Sequence, residues 1–188
     1  MPALHEPQLI EQAKAGDHQA FRQLVQSHQG FVYAVAFRFV RDAGEAEDLA
    51  QECFIRMWKN LDRYNPDYKL KTWLGKMITN LCLDFLKSAR KKRDMNQLEI
   101  KEELIVPDPR NPETELHHRE LKNMILAIAG RLTPKQKAAF VLRDLEMLEV
   151  HEVCEILGET AENLKSNLYH ARKYIRENLM KNYKTIPI

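Results

Sequence analysis

Between Tyr64 and Lys87, aromatic, amide and ammonium side chains recur at spacings that could place them on one surface. Lys76, Asn80 and Lys87, with Leu83 among them, follow steps of three and four and so share one helix face. Two lysines there can hold phosphates, while an asparagine offers the paired donor and acceptor that read a base edge. The preceding loop, Asp62-Arg-Tyr-Asn-Pro-Asp-Tyr-Lys69, sets Tyr64 and Tyr68 beside lysines. Stacking on unpaired bases with phosphate neutralisation uses that combination. A solvated helix face beside a locally packed aromatic is the other reading of the same residues.

A second group lies near the C-terminus. Once its inward positions are removed, the helix from Ala161 to Leu179 exposes Glu162, Asn163, Lys165, Ser166, Asn167, Tyr169, His170, Arg172 and Lys173. Hydrogen-bonding groups toward the start and cations behind them suit a helix laid in the major groove. From Ala161 onward six basic residues face two acidic ones, a local charge of +4. An ordinary hairpin in a helical bundle has the same apolar pattern.

Catalytic constellations are missing. There is no Gly-rich phosphate loop, nucleophile elbow or His-Glu-x-x-His, so no catalytic residue and no cofactor is expected. His117-His118 and His151-x-x-Cys154 could be assembled into a metal site, since neighbours three apart on a helix share a face. Two solvated linker histidines and a core-facing cysteine account for them better, and no metal is expected. Cys53, Cys82 and Cys154 are an odd number at wide spacing, which indicates neither a disulfide framework nor a zinc ribbon.

The elements that position these groups read as helical throughout. The chain has 188 residues, 44% hydrophobic and 30% charged, with 6 Gly and 8 Pro. That describes an ordered chain with one domain or two small ones. Net charge is +2, but residues 68–93 carry eight bases against Asp84, a local +7, and residues 94–116 carry seven acids against Lys101 and Arg110, a local −5. Pro107, Pro109 and Pro112 oppose continuous helix in the acidic block, which reads as a flexible linker between two helical modules. In the first module Leu9 to Val25 outline two short helices broken at Gly16-Asp17, and Phe31 to Arg41 reads as a third. Asp42-x-x-Glu45 opens a fourth, with Leu49, Cys53, Phe54, Met57, Trp58 and Leu61 inward. The helix from about Thr72 carries Trp73, Leu74, Met77, Ile78, Leu81, Cys82, Phe85 and Leu86 on its apolar side.

In the second module Thr133-Pro134-Lys135-Gln136 is a helix start. Val150 to Leu157, the turn Gly158-Glu159-Thr160 and the helix from Ala161 then make a helix-turn-helix, with Val153, Leu157, Leu164 and Leu168 inward. The apolar runs are too short to span a bilayer, and the first residues lack the basic and apolar regions of an export signal. A cytoplasmic, all-α protein of two small helical domains is expected.

Several separated segments resemble one family. Glu45-Ala-Glu-Asp-Leu-Ala-Gln-Glu-Cys-Phe-Ile-Arg-Met-Trp58, then Leu70-Lys-Thr-Trp-Leu-Gly-Lys-Met-Ile-Thr-Asn-Leu-Cys-Leu-Asp-Phe-Leu86, then Leu132-Thr-Pro-Lys-Gln-Lys137 and Leu164-Lys-Ser-Asn-Leu-Tyr-His-Ala-Arg172 are similar to the extracytoplasmic-function (ECF) sigma factors of the sigma-70 family. The resemblance implies a region 2-like domain over residues 1–93, a linker over 94–119 and a region 4-like helix-turn-helix domain over 120–188. It implies a transcription initiation factor that binds core RNA polymerase, directs it to specific promoters and helps open the −10 element.

Residue by residue, the resemblance implies docking on the polymerase β′ clamp helices through Asp48, Gln51, Glu52, Ile55 and Trp58, with the β flap as a further contact. Binding of −10 DNA would fall to Tyr64, Tyr68, Lys69, Lys71, Trp73, Lys76, Asn80, Lys87 and Arg90, with Asn80 near an extruded base. Flipping that base costs a few kcal/mol of stacking, which a pocket and basic rim must offset. Binding of −35 DNA would fall to Asn163, Lys165, Ser166, Asn167, Tyr169, His170, Arg172 and Lys173. An anti-sigma partner is implied, and no small-molecule substrate. The chain departs from the family's usual pattern at Glu149-Val150-His151, Cys154 and Asn167, which leaves the −35 sequence open.

Two other function classes compete. A helix-turn-helix regulator that binds duplex DNA without polymerase explains the second module and leaves the first idle. An enzyme lacks any recognisable catalytic set.

Overall fold

The computed structural model of the chain describes the backbone of residues 5–96 and 114–183 and the side chains of residues 5–89 and 121–181. The N-terminal domain contains α1 (Glu6–Lys14), α2 (His18–Val40), α3 (Ala43–Asn60) and α4 (Leu70–Asn96), with one 3-10 turn at Leu61–Arg63. The C-terminal domain contains α5 (Thr114–Ala129), α6 (Pro134–Phe140), α7 (Val150–Leu157) and α8 (Ala161–Tyr183). The described residues form no strand. The expected linker falls mostly on residues outside those described; its two ends belong to α4, which runs to Asn96, and to α5, which opens at Thr114.

Side chains that satisfy orphan amides set where the helices begin. Asp17 accepts from the Gln19 and Ala20 amides at 2.7 and 3.1 Å, and Asp42 from the Glu45 amide at 2.7 Å. Thr133 and Gln136 cap α6 reciprocally, with Pro134 at the first helical position. At α7 Glu149 and Glu152 do the same. Gly158 ends α7 in the left-handed region at φ 63°, where a residue without Cβ is unstrained.

One expected break is absent. The helices expected up to Val25 and from Phe31 are a single helix, α2, that runs through Gly30. Its buried positions Leu24, His28, Val32, Val35, Ala36 and Phe39 keep one helical phase, so packing outweighs the roughly 1 kcal/mol that a mid-helix glycine costs. His28 hides that phase in the sequence. It is buried because Nδ1 donates to the Leu24 carbonyl at 3.0 Å and Nε2 faces Glu6 at 3.2 Å.

After α6 the chain continues into a π-helical turn, Val141–Leu145, and then passes through Met147 at φ 57°. Met147 is 72% exposed, so its side chain gains nothing from packing there. Replacement by glycine relieves roughly 1–2 kcal/mol of left-handed strain and costs roughly 0.5–1 kcal/mol of backbone entropy. Met147→Gly is therefore expected to raise stability by about 0.5–1 kcal/mol, read from the urea midpoint at unchanged slope.

Ile128, Ala129, Leu132, Phe140, Ala171 and Ile175 form a core private to the C-terminal domain. The larger core belongs to both domains. It joins Leu24, Val35, Met57, Leu74 and Ile78 to Val141, Leu142, Val153, Ile156 and Leu164 without a gap. No helix of the described residues is long and apolar enough to cross a membrane.

Candidate nucleic-acid interfaces

The apolar stripe of α4 faces inward as its period requires, with Leu70, Leu74, Ile78, Leu81 and Cys82 buried. That leaves Lys76, Asn80 and Lys87 exposed together on the opposite side, the arrangement expected from their spacing. The side chain of Arg90 lies outside the described residues.

At the head of α4 the aromatic loop is folded on itself. Asn65 Oδ1 accepts from the Asp67 amide at 3.0 Å and tightens the turn around Pro66. Tyr64 is buried: its hydroxyl donates to the Tyr68 carbonyl, and its ring lies 5.2 Å from that of half-buried Trp73. Tyr64 thus builds the floor of a pocket and does not stand in solvent as a stacking platform. Tyr68 at 49% exposure is the aromatic that solvent reaches. Lys71 reaches back over the Phe31 ring at 4.7 Å, a cation–π contact, and Lys69 is exposed at the rim.

The pocket between this loop and α4 encloses about 270 Å³ and is walled by Tyr64, Tyr68, Trp73 and Lys76 on one side. Its other wall is Glu155 and Ile156 of α7. The C-terminal domain therefore sits on the surface that the sequence marks for single-stranded DNA.

Among the described residues three polar contacts join the domains, the first of them beside the pocket. Lys69 Nζ bonds Glu152 Oε1 at 2.9 Å, while Glu152 Oε2 accepts from the Glu149 amide at 2.9 Å. The bond to Glu152 pushes Lys69 above the usual lysine range, and the same bond, then the Glu149 amide, holds the Glu152 carboxyl below the usual carboxylate range. Lys137, 4% exposed, donates to the Phe39 carbonyl at 2.7 Å, capping the last turn of α2 from the other domain. Burial, then the nearby Arg41 charge, pulls Lys137 down to about 8. Arg38 pairs with Glu146. Between these contacts Ile156 rests on Gly75, where an added Cβ would lie 2.8 Å from Ile156 Cδ1.

The sequence reading missed this set. Two signals were available. Lys137 stands in an inward stripe beside Ala138-Ala139-Phe140, and Gly75 interrupts the best helix of the chain at a buried position, where close packing is the usual reason.

On α8 the inward and outward sets fall as expected. Leu164 and Leu168 are buried, and Asn163, Lys165, Ser166, Tyr169, His170, Arg172 and Lys173 are exposed. Asn167 is half-buried because its amide donates to Glu159 at 3.0 Å, and Glu159 also takes Lys135 at 2.8 Å. Arg172 makes a two-pronged pair with Asp144 at 2.8 and 2.6 Å. Of the inward positions in the helix-turn-helix, Val153 is buried and Leu157 half-buried.

On α3 the opposite face from Ala46, Ala50, Cys53 and Met57 shows Asp48, Gln51 and Ile55 to solvent, Ile55 at 47%. Glu52 is half-exposed and pairs with Arg56 at 2.7 Å. Trp58 is half-buried, with its ring 5.1 Å from His18 and 4.7 Å from Phe21, so only part of it is open to solvent.

The sketched metal cluster is not assembled among the described residues, which contain no group of three candidate ligands. The side chains of His117 and His118 lie outside those residues; His151 is exposed and Cys154 half-buried. Burial pushes the Cys53 and Cys82 thiols up to about 12, so they stay protonated in the core.

Known proteins match both domains. The sigma-70 region 2 family matches residues 24–92 and the sigma-70 region 4 family residues 122–175. The ECF RNA polymerase sigma factor SigW of Bacillus subtilis is 32% identical over 179 residues, covering 90% of this chain and 94% of that protein. The ECF sigma factor SigE of Mycolicibacterium smegmatis is 33% identical over 159 residues, covering 85% of this chain and 61% of that one. Among solved structures, the sigma factor RpoE of Bartonella quintana, in complex with the anti-sigma factor NepR, matches with a TM-score of 0.68 at 21% identity over 85% of this chain and 96% of that one. CnrH, in complex with the cytosolic domain of CnrY, matches with a TM-score of 0.67 at 21% identity over 92% and 96%. At that identity the structural matches carry the fold.

Proposed function

The chain belongs to the ECF sigma factors of RNA polymerase, and on that premise we propose that its two basic faces divide a promoter between them while α3 holds the polymerase. As a sigma factor it directs core RNA polymerase to promoters. The α4 face and its pocket take the −10 element: Asn80 meets an extruded base, Tyr68 and Trp73 flank it, and Lys69, Lys71, Lys76, Lys87 and Arg90 neutralise phosphates, with Tyr64 as the pocket floor. The α8 face takes the −35 element as duplex through Asn163, Lys165, Ser166, Asn167, Tyr169 and His170, with Arg172 and Lys173 toward the backbone.

Asp48, Gln51, Glu52 and Ile55, with the open part of Trp58, dock on the β′ clamp helices, and the C-terminal domain adds a contact to the β flap. An anti-sigma factor is the second protein partner. Catalysis by this chain is not part of the reading; binding energy alone selects the promoter and traps its open form, in the cytoplasm where the polymerase works. The observation that carries the reading is the exposure of Asn80 between Lys76 and Lys87 on one domain together with an exposed polar and cationic α8 face on the other.

Run-off transcription with purified bacterial core polymerase on a genomic-fragment library tests it. Discrete start sites are expected with the unaltered protein. Glu52→Arg places a second cation beside Arg56 on the docking face and is expected to cut transcript yield and core binding more than tenfold. Asn80→Ala is expected to keep core binding and lose or change preference at the −10 element. Absence of transcripts together with absence of core binding would return the duplex-binding regulator as the working reading.

A further inference from the structure

We propose that Glu162, a carboxylate at the head of the outer face of α8, fixes one base of the duplex element that this helix reads by selecting cytosine through its exocyclic amine. The proposal deepens the promoter reading above and rests on it for the docking of α8 in the major groove. Position comes first. Leu164, Leu168, Ala171 and Ile175 are the buried side of α8. Glu162, Ser166, Tyr169 and Lys173 follow steps of four, three and four and form the exposed stripe directly opposite. A recognition helix meets base edges with its N-terminal residues, and Glu162 leads that stripe at the second helical position.

Other residues already meet the ordinary needs of a helix start. Thr160 caps α8, its hydroxyl accepting from the Asn163 amide at 3.3 Å. Glu159 is committed to its neighbours, with one oxygen accepting from Asn167 at 3.0 Å and the other paired with Lys135 at 2.8 Å. Among the described residues Glu162 has neither a hydrogen bond nor an ion pair, although Lys165 stands three positions on. Its carboxylate is exposed and uncommitted on a stretch of α8 whose other charges, at Lys165, Arg172 and Lys173, are positive.

Chemistry then names the base. A carboxylate only accepts hydrogen bonds. In the major groove guanine shows two acceptors, and thymine shows an acceptor and a methyl group, so either base leaves the charge desolvated and unpaired. Adenine offers its N6 amine beside the N7 acceptor, which repels the second carboxylate oxygen. Cytosine offers the N4 amine with no acceptor on its own edge. An anion held that close to phosphates also weakens non-specific binding, so Glu162 works against every sequence that fails to supply the donor.

Selection from a fully randomised duplex pool by holoenzyme, assembled from the full chain and purified bacterial core polymerase, tests the assignment with Glu162→Gln and Glu162→Ala beside the unaltered protein. The unaltered protein is expected to favour cytosine by roughly fivefold or more at one position of its upstream element. Glutamine keeps the length and adds the donor that matches adenine N7, so Glu162→Gln is expected to move that position from cytosine to adenine. Glu162→Ala is expected to lose the preference there, while unchanged enrichment at the other positions reports that α8 remains folded. A carboxylate that only complements the helix dipole predicts a slightly lower Tm and an unchanged motif. Cytosine retained in either variant, or a change falling on a position where the unaltered protein favours another base, overturns the assignment and leaves the promoter reading standing. Enrichment of no upstream element at all overturns both.

Discussion

Raising the pH from 7 to 10 is expected to shift the balance between packed and separated domains toward packing by about 2–3 kcal/mol, a change in their ratio on the order of tens to a hundredfold. The source is Lys137, whose ammonium is pulled down to about 8 where it is buried against Phe39 and Arg41. When the domains separate, the group returns to water and to its ordinary value of 10.5. Below pH 8 both forms carry the proton and the cost of burying it is constant. Between about 8 and 10.5 the separated form holds a proton that the packed form has shed, so packing strengthens as pH rises. Lys69 opposes this only toward pH 10 and above, where the separated form begins to shed the proton that the bond to Glu152 holds in the packed form.

The titration must be followed through domain packing and not through global unfolding. Unfolding also releases the Cys53 and Cys82 thiols, held near 12 in the fold against an ordinary 9.0. Above pH 9 their release favours the unfolded chain and offsets most of what Lys137 contributes. Small-angle scattering of the purified chain from pH 7 to 10 is the measurement. A rising packed fraction is expected, and Lys137→Met, which keeps the stem and removes the charge, is expected to flatten the profile. A profile unchanged by Lys137→Met would assign the effect to another group.

Leu164→Ala is expected to cost about 2–5 kcal/mol, the range for a buried leucine whose site cannot collapse. Leu164 is 1% exposed in the part of the shared core that the C-terminal domain supplies, and without that part the domain keeps a private core of six buried residues. In so small a domain that is much of the available stability, and a fall in Tm of more than about 10 °C follows. The thermal melt by circular dichroism should split, with the N-terminal domain surviving, and duplex DNA binding should disappear above the lower transition. Retention of duplex binding at 37 °C would show that α7 and α8 repack around the deletion.

The sequence carried the elements better than it carried their meeting. Caps at Asp17, Asp42 and Thr133, the turn at Gly158 and the stripe along α4 were all legible, because each depends on neighbours within a few residues. The continuity of α2 was not, since His28 occupies a core position and owes its burial to Leu24 and Glu6. Of the surfaces, the exposure of Asn80 and of the α8 polar face followed from periodicity alone. The burial of Tyr64 did not, because it rests on a hydroxyl bond to the Tyr68 backbone and on Trp73 beneath. The shared core was the least legible feature: Ile156 over Gly75 and Lys137 on Phe39 join residues some eighty to a hundred positions apart, and nothing local distinguishes such residues from ones that pack within their own domain.

One face keeps its solvent throughout. Asp48, Gln51 and Ile55 on α3 are uncovered while α7 walls the α4 pocket. A chromosome offers an enormous excess of sites on which any cationic protein can be lost, and that trapping scales with the phosphates it can neutralise at once. On the proposed reading, a chain whose Lys69 is tied to its own Glu152, and whose acidic α3 face repels DNA, is partitioned toward the polymerase and away from the genome. Traffic then has a preferred order: polymerase first, unpaired bases afterwards.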